Sequence, residues 1–109
     1  MRLSEVDGMS PREHAKRIAQ SVLRGDYDPL LACRDLADLR KSLPEISDDI
    51  MDPFVGVASE VDDLPIGDER SFWSANALRQ KDEEAADYRG RVQASVERAL
   101  RRLLVLLSD

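Results

Sequence analysis

The chain is expected to fold as an all-α protein, a four-helix bundle-like domain with a long C-terminal helix. Three observations point there. Sheet-favouring residues are scarce: Thr is absent, and only Tyr27, Phe54, Phe72, Trp73 and Tyr88 are aromatic. Apolar residues recur at spacings of three and four in four separate stretches. Each stretch is preceded by a Ser or Asp suited to capping a helix. No internal repeat is evident.

The first helix is read in SPREHAKRIAQSVLRG. Ser10 caps it, Pro11 takes the first helical position, and Glu13 completes a capping box. Ala15, Ile18, Ala19 and Val22 form its apolar stripe, and Gly25 can end it in a left-handed conformation. Residues 1–9 show no periodicity and are expected to be a loose arm ahead of one helical domain over 10–109. The second helix starts at Asp28–Pro29 and closes at Pro44, which disfavours helix at Leu43. Its apolar face is Ala32, Leu36, Leu39 and Leu43, widened by Leu31 and Cys33. The short GDYD connection makes the first two helices a hairpin.

The third stripe is Phe54, Val57, Ala58, Val61 and Leu64. Its start is either Asp52–Pro53 or, since Ile50 continues the stripe backwards, Ser47. The fourth helix begins after Ser74. Leu78, Ala85 and Val92 repeat every seven residues, and Val96, Leu100, Leu103 and Leu107 continue the seam. Some thirty residues at about 1.5 Å each would span about 45 Å, longer than a compact bundle of this chain needs. Either the helix kinks near Gly90, or its LLVLL end extends and packs on a second copy through Leu103, Leu104 and Leu107. The second option makes a homodimer the expected state.

Composition narrows the function classes. At 42% hydrophobic and 35% charged, the chain reads as soluble and ordered. The opening MRLSEVDGMSPREH lacks the apolar core of a secretory signal, and the longest apolar run, Leu103 to Leu107, is far below the ~20 residues of a membrane helix. A cytoplasmic location is expected, with no membrane partner. The single Cys33 excludes an intrachain disulfide, and its apolar neighbours suggest an inert buried thiol.

The net charge of −6 is unevenly spread. Between Glu45 and Glu69 stand nine carboxylates (Glu45, Asp48, Asp49, Asp52, Glu60, Asp62, Asp63, Asp68, Glu69) and no Lys or Arg. The rest of the chain carries all 16 basic side chains against the remaining 13 acidic ones. Such a segment repels phosphate backbones, so no nucleic-acid ligand is expected. The arginines at 89, 91, 98, 101 and 102 are expected to pair with acids on and near their helix.

The densest part is EVDDLPIGDERSFW, Glu60 to Trp73. Placing Gly67 sixth in a calcium loop puts Leu64, Ile66 and Trp73 at ligand positions, and apolar side chains cannot coordinate a hard cation. Paired carboxylates could serve acid–base chemistry, but any acidic sequence offers such pairs. A small hydrolase built on them would need a deep pocket with converging acids. No nucleophile motif, phosphate-binding glycine loop or metal quartet is present, so neither catalysis nor a cofactor is expected. His14, the sole histidine, lies in a charged first turn and is expected at the surface.

The stretch reads best as a turn. Pro65 ends one helix, Gly67 permits a tight bend, and Ile66, Phe72 and Trp73 pack back on the core. Arg70 pairs with one of the carboxylates or lies over Trp73. The unneutralised acids admit two readings, a merely solvated surface or a face for a cationic partner. The second makes Glu60, Asp62, Asp63, Asp68, Glu69 and Trp73 candidate partner-binding residues. The alternative role is a homo-oligomeric structural or regulatory helical protein.

ACRDLADLR, FVGVASEVDDLPIG, Arg70, Trp73 and the ANALRQKDEE helix start together resemble a family of small bacterial all-helical proteins, a domain of unknown function. The resemblance covers about Leu30 to Leu104. Its most specific part is the series Ser59, Glu60, Asp62, Pro65, Gly67, Arg70, Trp73; Ala58 departs from it, standing where the pattern has an acid. The resemblance implies no activity. Small acidic helical proteins of this type include immunity proteins that neutralise a cognate toxin, which by analogy would make the basic partner a toxin.

Overall fold

The computed structural model describes residues 9–108. Its helices are α1 (Pro11–Leu23), α2 (Pro29–Leu39), α3 (Asp48–Glu60) and α4 (Ala75–Leu107). A 3₁₀ turn, Arg40–Ser42, continues α2, and a second, Asp68–Phe72, precedes α4. No strand occurs among the described residues, so the all-α reading holds. The expected arm lies, apart from Met9, outside the described residues.

The caps explain the boundaries. The Ser10 hydroxyl accepts from the Glu13 N–H, and the Ser74 hydroxyl accepts from Ala77. Asp28 Oδ1 accepts from the Leu30 N–H at 2.9 Å. Helix α1 ends in a Schellman motif: Gly25, at φ 81, donates to the Val22 carbonyl and Asp26 donates to that of Ser21. The open start of α3 is resolved in favour of Ser47, which places Pro53 inside the helix on an exposed face. There the missing N–H faces solvent and not the core.

Each helix packs on the next, and α4 returns to α1, closing a ring in the order α1–α2–α3–α4. The core fills the ring. Ile18, Leu30, Leu36, Leu43, Met51, Phe54, Leu100 and Leu103 are its largest fully buried side chains. Cys33 is buried among them. Burial, then the nearby Asp28 charge, pushes its thiol up to about 12, so it stays protonated and inert.

Helix α4 is a continuous run of 33 residues. At about 1.5 Å per residue this is roughly 50 Å, matching the 46 Å long dimension of the molecule. No break occurs at Gly90. The expected free C-terminal end is corrected. Leu103 and Leu107 are buried in the chain's own core, and Leu104 packs against it. Arg12 ties this end down, donating to the Leu106 carbonyl at 3.2 Å and to Glu45 at 3.0 Å. Of the apolar residues there, only Val105, 66% exposed, and Leu106, 37% exposed, face outward. The end of α4 that carries no buried residue is the opposite one, from Ala75 to Glu84. The apolar seam is dense after Val96 and sparse before it, so the bundle covers the dense part.

Two substitutions check this arrangement. At Gly90 an added Cβ meets nothing within 4 Å. Gly90→Ala therefore raises stability by about 0.5–1 kcal/mol, read as a higher melting temperature. Leu100→Ala, in the buried part of the same helix, lowers stability by about 2–5 kcal/mol in chemical denaturation.

Candidate functional site

The acids of the 60–69 region do not share one face. Glu60 and Asp63 line a groove against α4, where Glu84, Asp87, Tyr88 and Arg91 form the other wall. Asp62 turns to a shallow groove over Ala37 and Ala58 between α2 and α3. Asp68 and Glu69 face a third cleft, against Arg34, Asp35 and Asp38 of α2. Val61 and Leu64 are the reason. Both are buried, and the intervening backbone turns tightly, with Leu64 donating to the Val61 carbonyl. The acids between and beside them are sent to different sides.

Their charge is also unequally compensated. Glu69 accepts from Arg34 Nη1 at 2.7 Å. A Cβ at residue 67 would stand 2.8 Å from Glu69 Oε2, so Gly67 leaves the room in which this carboxylate folds back. Burial pushes the Glu69 carboxyl up, but its own backbone N–H, Arg34 and the Gly67 N–H outweigh this and hold it below the ordinary range. Glu69 is thus a strut between the turn and α2. Glu45 and Asp49 lie near Arg12 and Arg102, at 3.0 and 3.9 Å. Glu60, Asp62 and Asp63 are exposed and make no ion pair among the described residues.

The turn itself departs from the expected packing. Ile66 is buried, but Phe72 is 89% exposed and Trp73 36% exposed. Arg70 neither lies over Trp73 nor pairs with the 60–69 acids. It forks onto Asp82, twelve residues on, with Nη2 3.1 Å from Oδ2, and also donates to the Pro65 carbonyl at 3.1 Å. That pair raises the pKa of Arg70 and lowers that of Asp82. Arg70 and the preceding strut hold the turn from either side, and Phe72 is left standing outward between them and the Ser74 cap.

A second polar cluster was not apparent from sequence. The Tyr27 hydroxyl donates a short bond to Asp35 Oδ2. Burial raises the Asp35 carboxyl, against the lowering influence of Tyr27, His14 and Arg34. His14 is not a surface residue; it is half-buried, and its Nε2 is buried with no hydrogen-bond partner among the described residues. The available signal was Asp35 itself, set one helical turn from Leu31 and from Leu39 beside an apolar face.

Arg91 lies over the Tyr88 ring at 5.6 Å. Arg89 grips Asp28 through two bonds of 3.1 and 2.8 Å. No group of three or more His, Cys, Asp or Glu among the described residues is placed to hold a metal ion. Among the described residues no helix is long and apolar enough to cross a membrane. No protein-family model, curated protein or solved structure matches the chain.

Removing the Arg70 fork should free the turn without unfolding the bundle. Arg70→Met is expected to speed chymotrypsin cleavage after Phe72 or Trp73 several-fold, while leaving far-UV circular dichroism unchanged.

Proposed function

We propose that the chain is a non-catalytic protein-binding module that docks a basic partner around the Asp68–Phe72 turn. The observation that carries this is Phe72, 89% exposed on a turn held by two arginine clamps. A large apolar side chain in water, on a fixed base, has the character of an interface anchor. The unpaired charge of Glu60, Asp62 and Asp63 supplies attraction for cations, which accelerates encounter. The clefts that the acids line are open at the surface, which suits a protein partner better than an enclosed small substrate. The resemblance to small acidic bacterial proteins makes toxin neutralisation the most concrete form of this reading, with the toxin as the basic partner. Within it, Phe72 replaces Trp73 as the leading anchor, and Glu69 serves as support.

The test uses capture from the native lysate by the wild type and two variants, Glu60→Lys/Asp62→Lys/Asp63→Lys and Phe72→Ala. One basic polypeptide is expected with the wild type and lost with both. For the purified pair, the charge reversal slows association about tenfold or more at low salt and flattens its salt dependence. Phe72→Ala instead speeds dissociation. A polypeptide retained equally by all three chains would refute the reading.

Self-association is the second reading, and Val105 and Leu106 favour it, since they are the outward apolar residues at the end of α4. Sedimentation at micromolar concentration then shows a dimer that Val105→Lys/Leu106→Lys converts to monomer; a wild-type monomer removes this reading.

A further inference from the structure

Helix α4 buries one side in the core and turns the other to solvent. On the solvent side Glu83, Asp87, Gly90, Ala94, Arg98 and Arg101 follow one another at spacings of three and four residues, so they form one stripe along the helix. All six are exposed. Val105, four residues after Arg101, carries the stripe on to the outward apolar residues at the C-terminal end.

The stripe is polarised: two carboxylates, then two small residues, then two guanidinium groups. Glu83, Asp87 and Arg98 make no ion pair among the described residues. Arg98 donates to the Ser95 hydroxyl at 3.2 Å, and Arg101 stands 3.8 Å from Glu97 with its side chain 62% exposed. A helix face that serves only to meet water gains from acid–base neighbours three or four residues apart; like charges at that spacing repel. Here Glu83 neighbours Asp87, and Arg98 neighbours Arg101. Neither pair lies in the first or last turn, so the helix dipole does not offset the repulsion. Between them, Gly90 has no role within the chain that a larger residue would disturb, since an added Cβ meets nothing within 4 Å. Small side chains on an outer face let the axis of a second helix come close.

An order of acid, small and base along one face is its own complement when reversed. A second copy lying antiparallel, related by a two-fold axis passing near Gly90, sets Glu83 and Asp87 of each copy against Arg98 and Arg101 of the other. A parallel copy sets like charge against like. Gly90 also stands close to the middle of the Ala75–Leu107 helix, so antiparallel copies crossing there overlap along its length. We propose that the outer face of α4 is a self-complementary docking surface for a second copy of this chain, paired antiparallel across Gly90 and Ala94. This rests on the self-association reading above, to which it adds the surface, the orientation and the charges that select them.

The test is a charge swap read by sedimentation at micromolar concentration. The chains are the wild type, Glu83→Arg/Asp87→Arg, Arg98→Glu/Arg101→Glu, and the chain carrying all four changes. All four positions are exposed, and unchanged far-UV circular dichroism checks that each variant folds. The wild type should be a dimer whose dissociation constant rises several-fold between about 0.05 and 0.5 M NaCl. Each double reversal acts twice in a two-fold interface and should weaken the dimer about tenfold or more at low salt. Mixing the two double variants in equal amounts should restore dimers, and the fourfold variant should dimerise on its own. Wild-type dimers that both reversals leave intact, or whose loss neither mixing nor the fourfold change repairs, or a salt-independent wild-type constant, would overturn this surface while leaving self-association standing. A wild-type monomer, with the face left to solvent or to another protein, overturns both.

Discussion

Asp28 is the joint on which the assembly of the four helices turns. One of its oxygens caps α2, and both are gripped by Arg89 from the middle of α4. The pair is only a quarter to a third exposed. Burial makes such a bond expensive to leave half-made, more than strongly stabilising in itself. Its main effect is positional. A helix of 33 residues can slide along three shorter ones, and a bidentate contact fixes one register. With Arg89 placed, Val96, Leu100, Leu103 and Leu107 fall on the core. Arg12 then secures the far end.

The polar groups inside and beside that core work differently. Cys33 is silenced by burial. Asp35 is retained where its ionised form is disfavoured, with a tyrosine donor for partial relief. A fold selected for stability alone has no need of such a carboxylate. Its bond to the Tyr27 hydroxyl sets it apart from the exposed acids at the surface.

Much of the fold was legible. The stripes of α1 and α4, the Ser10, Asp28 and Ser74 caps and the Gly25 stop all depend on neighbours within a few residues. Features set by distant contacts were not. The same leucine seam in α4 is compatible with a docked or a free end, and Arg12, more than ninety residues away, helps decide. Arg70 had nearby acids but chose Asp82, because the turn points its guanidinium towards α4. The bond from Tyr27 to Asp35 needs the α1–α2 connection to fold back first. The acidic residues themselves were legible as charge, but burial of Val61 and Leu64 decides which way each of them looks.

That divergence shapes the electric field of the molecule. Carboxylates distributed over three grooves produce, at a distance of a screening length or more, something nearer a point charge than a directed dipole. Such a field draws cations inward from many bearings but gives them little torque. Orientation of an arriving molecule must then come from short-range shape, to which the ring at residue 72, the most exposed large apolar side chain among the described residues, contributes.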